Sequence, residues 1–118
     1  MYETITTNIM VKNVKETIIF YEDKLGFQKV LSVPDDGEIL NFAIMSKDKV
    51  SIMLQEQGNL IEEYPTFTLF IAVDNVTELY EELKNQVIIA KELHQTFYGK
   101  DEFAIFDNNG NILTISCK

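Results

Sequence analysis

The sequence contains no arginine, and its ten lysines stand against 19 Asp and Glu residues, which gives a net charge of −9. Arginine supplies the bidentate fork that usually binds phosphates, carboxylates and base edges, so its absence argues against nucleotide and nucleic-acid functions. The net negative charge also repels nucleic acid and anionic membranes. We therefore expect neither a nucleic-acid partner nor a membrane partner.

Cysteine and long apolar runs are also scarce. Cys117 is the only cysteine, so neither an intrachain disulfide nor a thiolate metal cluster can form. The first residues lack the basic region of a secretion signal, and no apolar run is long enough to span a membrane. These features predict a soluble protein in a reducing, cytoplasmic location.

A short motif occurs twice. Val11 to Glu16 and Val73 to Glu78 share the pattern Val-x-Asn-Val-x-Glu, offset by 62 positions. In each copy a strand-like segment ends and a segment with helical apolar spacing begins, with Asn at the N-cap and Glu three residues later. Phe42 to Ile44 likewise recurs as Phe103 to Ile105, offset by 61 positions. The sequence therefore predicts two copies of one supersecondary unit.

Each copy is predicted to form a βαβββ module. The chain of 118 residues has the length of one domain, and either half alone is too short to bury a self-sufficient core. We expect a single α+β domain, residues 1–118, made of modules at about 1–56 and 66–118 joined by a linker at 57–65. The predicted elements, in chain order, are strand Ile5–Val11, helix Val14–Lys24, strands Phe27–Val33, Ile39–Ser46, Val50–Gln55 and Phe67–Val73, helix Val76–Leu83, and strands Val87–Glu92, Glu102–Phe106 and Ile112–Ser116.

Several motifs follow one another in the order of a known family. Val11 to Val14 is followed by Phe20-Tyr21, Leu25 to Phe27 and Tyr98-Gly99, and then by Asp107 to Asn111 where Asp-Pro-x-Gly-Asn is usual. With the internal repeat, the chain resembles the glyoxalase, bleomycin-resistance and ring-cleaving dioxygenase superfamily, also called vicinal oxygen chelate proteins. The resemblance implies two tandem βαβββ modules that form curved mixed sheets around a shared cavity, assembled as a homodimer.

Enzymes of that superfamily typically hold one divalent metal with His and Glu ligands on the first and fourth strands of each module. The matching first-strand positions here are Thr6 and Thr68, and the matching fourth-strand positions are Met53 and Thr114. Three hydroxyls and a thioether bring no charge to offset the hydration that a divalent ion loses. We therefore predict no metal or other cofactor, and no catalytic residue.

The predicted ligand site consists of side chains that share a strand face with these positions. They combine hydroxyls, amides, methionine and phenylalanine, which suits an adaptable small-molecule pocket. Threonine is also common at half-exposed strand positions without any function, so a solvated sheet face would look similar. The predicted ligand-binding residues are Thr6, Asn8, Met10, Met53, Gln55, Thr68, Phe70, Phe103, Thr114 and Ser116.

The expected ligand is small, partly aromatic and cationic, like the antibiotics bound by some members of the superfamily. Acidic loops attract cations, although the same charge also keeps a protein soluble. Two groups of residues favour this ligand: the aromatics Phe70, Phe97, Tyr98 and Phe103 in or near the pocket strands, and the acidic pairs Asp35-Asp36, Glu62-Glu63 and Asp101-Glu102 in loops or at strand ends.

Other function classes fit the same sequence. A metal-dependent lyase or dioxygenase would need unexpected ligands such as Glu56, Glu102 or His94, and a metal-free enzyme would need a carboxylate base. His94, the only histidine, is expected at a surface or loop position. A regulatory module without a ligand is a third possibility. The metal content of the purified protein distinguishes the metal enzyme from the binding protein.

Overall fold

Two helices and eight strands make up the parts of the chain that this computed structural model describes, residues 1–56 and 68–118. The chain divides into two compact units, and their boundary lies inside the segment that is not described. The elements are β1 (Thr7–Val11), α1 (Val14–Leu25), β2 (Gln28–Val33), β3 (Phe42–Lys47), β4 (Val50–Glu56), β5 (Thr68–Val73), α2 (Val76–Leu83), β6 (Ile88–Gln95), β7 (Asp101–Phe106) and β8 (Ile112–Cys117).

Each unit holds one four-stranded mixed sheet with the same topology. The strand order is β1-β4-β3-β2 in the first unit and β5-β8-β7-β6 in the second. In both sheets the first strand runs parallel to the last, and the remaining pairs are antiparallel. The predicted α+β class and the tandem βαβββ modules are therefore confirmed.

Both helices begin at the asparagine that the repeated motif predicts. The Asn13 side chain accepts a hydrogen bond from the Glu16 amide at 2.9 Å, and Asn75 accepts one from Glu78 at 3.1 Å. Each bond satisfies an amide that has no partner inside the helix. The first helix ends at Gly26, whose φ of 75° is the left-handed conformation that glycine adopts without steric cost.

One face of each sheet is covered by the helix of its own unit. Side chains alternate between the two faces of a strand, so the buried apolar residues identify the covered face. In the first unit they are Ile9, Val11, Met45, Ile52 and Leu54, with Val14, Ile18 and Tyr21 from α1; in the second unit they are Phe103, Ile105, Leu113 and Ile115, with Val76, Tyr80 and Leu83 from α2.

Some predicted boundaries are wrong by a few residues. Strand β1 begins at Thr7 rather than Ile5, because Thr7 is the first residue with a partner across the ladder to β4. Strand β3 begins at Phe42 rather than Ile39, and β6 continues to Gln95. The predicted linker at 57–65 and the predicted strand residue Phe67 lie outside the described residues.

Within residues 1–56 and 68–118, no helix has the length and apolar character needed to cross a membrane.

Candidate functional site

The side of each sheet away from its helix is termed the open face, and in the first unit it carries four of the predicted site residues. Asn8 lies opposite Met53, and Met10 lies opposite Gln55, so the four side chains are neighbours. The Asn8 Nδ2 donates a hydrogen bond to the Gln55 Oε1 at 2.7 Å. Asn8 and Gln55 are exposed, whereas both methionines are half-buried. These residues form a surface that combines amide groups with thioethers.

The same open face continues across the sheet as an apolar surface. Strand pairing places Ile44 beside Met53 and Phe42 beside Gln55, and then Leu31 and Val33 one strand further on. Leu31 is 41% exposed and Val33 is 53% exposed. Sequence reasoning missed these residues, because the register between strands decides which side chains continue the row.

In the second unit, four of the predicted residues lie on the open face at related positions. Phe70 lies opposite Thr114, with its side chain 61% exposed. Thr68 is exposed and lies opposite Ile112, two residues before Phe70 on the same face of β5. Ser116 follows Thr114 on the same face of β8 and is buried. The face therefore offers one exposed aromatic ring beside the hydroxyl groups of Thr68, Thr114 and Ser116.

Two of the predicted residues lie elsewhere. Phe103 is fully buried on the helix-covered face, where its ring makes an edge-to-face contact with Tyr80 at 5.1 Å between centroids. Phe103 is therefore a core residue, and its prediction as a ligand-binding residue is wrong. Adjacent residues of a strand point to opposite faces, so an error of one position moves a side chain from one face to the other. Thr6 precedes β1 and is exposed, so no ladder holds its side chain at a fixed place.

The four positions where the superfamily carries metal ligands do not fit a divalent ion. Thr6, Thr68 and Thr114 offer neutral hydroxyls, and Met53 offers a soft thioether. Such a set supplies neither the carboxylates that hard cations need nor the imidazoles that transition metals prefer. Within the described residues, no three His, Cys, Asp or Glu side chains come together as a metal-binding group.

The carboxylate of Glu102, which the sequence offers as part of an acidic pair and as a candidate ligand of a metal enzyme, lies buried on the open face of the second sheet. Glu102 is 9% exposed and follows the strand alternation opposite to Phe103, so it points away from α2. Its cross-strand neighbours are Ser116 on β8 and His94 on β6. The Tyr98 hydroxyl donates a hydrogen bond to its Oε2 at 2.5 Å. This bond raises the pKa of Tyr98 above the ordinary value of 10.0, so the proton stays on the phenol.

His94, expected at a surface or loop position, lies within the edge strand β6 and is half-buried. Its Nδ1 lies 2.8 Å from the backbone oxygen of Glu92. Glu56, the other residue considered for a metal enzyme, is exposed at the end of β4 opposite Val11, in the first unit. The structure therefore brings Glu102 and His94 together on one sheet, and it places Glu56 on the other.

Comparison with known proteins connects this geometry to a family. Residues 5–115 match the model of the family described as the Glyoxalase/Bleomycin resistance protein/Dioxygenase superfamily. None of the curated proteins compared with the chain matches it in sequence.

Solved structures share the fold at low sequence identity. TioX from Micromonospora sp. ML1 is 13% identical with a TM-score of 0.81, covering 98% of this chain and 96% of its own. Lactoylglutathione lyase from Agrobacterium tumefaciens is 15% identical with a TM-score of 0.77, covering 98% and 92%. A bleomycin-binding protein solved in complex with bleomycin is 19% identical with a TM-score of 0.75, covering 99% of each chain. At these identities the likeness is one of fold.

Proposed function

Because the chain belongs to the glyoxalase, bleomycin resistance protein and dioxygenase superfamily, we propose that it binds a small, partly aromatic, cationic molecule without using a metal. Each open face is considered by itself: the proposed ligand-binding residues of the first unit are Asn8, Met10, Met53 and Gln55, and those of the second unit are Thr68, Phe70, Thr114 and Ser116. Thr6 belongs to the proposal only as a flanking residue, and Phe103 does not belong to it.

One observation carries the proposal: the open faces bear side chains suited to binding, whereas the usual ligand positions bear none suited to a metal. Asn8 and Gln55 present amide donors and acceptors, and Phe70 presents a largely exposed ring. A few polar groups on an apolar surface are what small-molecule sites typically use. The bleomycin complex of a protein with this fold is consistent with such a site.

The net charge of the protein supports a cationic ligand. The chain has a net charge of −9 and no arginine. A surface of one sign raises the local concentration of counter-charged ligands, and salt weakens this effect because the Debye length is about 10 Å at 0.1 M. A homodimer and a cytoplasmic location belong to the same proposal.

A second candidate function is enzymatic, and the cross-strand position of His94 and Glu102 is the observation that favours it. Such a pair could bind a metal in an unusual lyase or dioxygenase, or could supply a carboxylate base. Metal analysis of protein purified without a polyhistidine tag tests the first version. Stoichiometric metal would favour the enzyme over the binding protein.

The experiment that tests the proposed function is a thermal-shift comparison of three probes of one shape: cationic benzamidine, neutral benzamide and anionic benzoate. A ligand that binds only the native state raises the melting temperature by mass action. We expect benzamidine to give the largest rise at low salt, benzamide a smaller rise that does not depend on salt, and benzoate none. Stabilisation by benzoate alone would contradict a cationic ligand, and turnover of a bound compound would contradict the binding-protein class.

A further inference from the structure

Glu102 is a buried carboxylate on the open face of the second sheet, and burial of a charged group destabilises a small domain. Glu102 is 9% exposed, and burying a charged carboxylate costs free energy unless partners replace its lost water. The neighbouring side chains of β7 show the contrast, because Phe103 and Ile105 are fully buried on the side of α2. Glu102 lies on the opposite face of β7, so packing of the hydrophobic core does not explain why a carboxylate occupies position 102.

The described part of the chain supplies only some of the hydrogen bonds that this carboxylate can accept. The Tyr98 hydroxyl donates to Oε2 at 2.5 Å. An ionised carboxylate has about four lone-pair sites on two oxygens, so a single donor leaves most of them free. Among residues 1–56 and 68–118, no Lys or His forms an ion pair with Glu102, and Nδ1 of His94 is directed to a backbone oxygen. An additional donor, preferably charged, would complete the site.

The tyrosine that binds this carboxylate belongs to a pair of aromatic rings. The Tyr98 ring is 51% exposed, and it contacts the Phe97 ring edge-to-face at 4.9 Å between centroids. Phe97 itself is 99% exposed, at the turn between β6 and β7. A carboxylate that is hydrogen-bonded to one tyrosine of such a pair suits a cation, because the faces of aromatic rings also attract positive charge.

We propose that Glu102 is the anchor for a positively charged nitrogen of the ligand, such as an amidinium or a primary ammonium, and that the Tyr98 hydroxyl holds the carboxylate in place for it. This inference rests on the proposed function and assigns the charge recognition to one carboxylate of the second unit. Charge-assisted hydrogen bonds from N–H donors to a carboxylate are roughly twice as strong as neutral ones. The anchor therefore selects amidines and amines over neutral amides of equal shape.

The alternative is that Glu102 serves only to fasten Tyr98, and a matched pair elsewhere in the unit separates the two roles. The Tyr80 hydroxyl donates to the Oε2 of Glu92 at the same 2.5 Å, but Tyr80 belongs to α2 on the covered side, and Glu92 is exposed. Glu102→Gln and Glu92→Gln remove the same charge and keep an oxygen that can accept the tyrosine hydrogen bond. Of the two glutamates, only Glu102 lies on the open face.

The test titrates both variants and the wild type with benzamidine and benzamide by calorimetry. We expect Glu102→Gln to weaken benzamidine binding roughly 10- to 100-fold while benzamide binding changes less than about threefold, and Glu92→Gln to leave both unchanged. If the wild type binds both probes equally, or if both variants weaken benzamidine alike, the binding site stands and the assignment to Glu102 is wrong. If the wild type binds neither probe, the proposed function fails together with this inference.

A second measurement covers the case in which Glu102→Gln does not fold. In wild-type protein labelled with ¹³C at the glutamate side chains, the Glu102 carboxyl resonance should shift on addition of benzamidine and stay in place with benzamide. Equal shifts with both probes, or a shift confined to other glutamates, would overturn the anchor.

Discussion

At the scale of single residues, the molecule separates side chains of the same type by the face on which they lie. Phe70 on β5 is 61% exposed on the open face, whereas Phe103 on β7 is fully buried against Tyr80. Both are phenylalanines in strands, and sequence composition alone does not distinguish them. Their substitution should therefore affect different properties.

We predict that Phe103→Ala lowers the free energy of unfolding by about 3–5 kcal/mol, because it leaves a cavity in the core. Phe70→Ala should lower it by less than about 1 kcal/mol and should instead weaken benzamidine binding, because it removes an exposed ring from the open face. Urea unfolding measures the first effect and calorimetry the second. Equal destabilisation by the two variants would show that Phe70 is a core residue.

At the scale of elements, local signals are the part of the fold that the sequence predicts best. The helix starts at Asn13 and Asn75 follow from a cap and its glutamate, which interact within one turn. The predicted start of β3 and the predicted end of β6 are wrong, because strand ends depend on partners far away in the chain. The same limitation explains why the predicted ligand-binding residues include Phe103 and leave out Glu102, since the face of each residue follows from register.

The helix caps give a prediction at this scale. Asn13→Ala and Asn75→Ala should each lower the free energy of unfolding by about 1 kcal/mol, because an amide of the first turn loses its acceptor. Asn13→Ser can still accept that hydrogen bond, so it should lower the free energy of unfolding by only a few tenths of a kcal/mol. Chemical denaturation followed by circular dichroism provides the values. A serine variant as unstable as the alanine variant would show that the cap hydrogen bond is not what stabilises the helix start.

At the scale of the whole molecule, each unit leaves apolar surface on its open face, and within residues 1–56 and 68–118 each sheet ends in edge strands. Leu31, Val33 and Phe70 are all more than 40% exposed, and β1 and β5 are edge strands. Edges and apolar faces of this kind are usually covered by a ligand or by another chain. The two predicted uses of these surfaces, a ligand site and a homodimer, can be tested separately.

We expect sedimentation velocity at micromolar concentration to give twice the chain mass of 13.6 kDa. The dimer should persist in benzamidine and in high salt, since its contacts are expected to be apolar rather than charged. A single species with the mass of one chain would remove the homodimer from the proposal without affecting the ligand site.

The most direct test of metal-free binding is a calorimetric titration of chelator-treated protein with benzamidine, repeated after addition of Zn²⁺, Mn²⁺, Fe²⁺ or Ni²⁺. Because Thr6, Met53, Thr68 and Thr114 offer no charged ligand, no metal should bind stoichiometrically more tightly than roughly micromolar. The dissociation constant for benzamidine should be the same with and without metal. Binding that appears only after a metal is added, through a saturable metal site lost in Thr6→Ala and Thr114→Ala, would contradict the account.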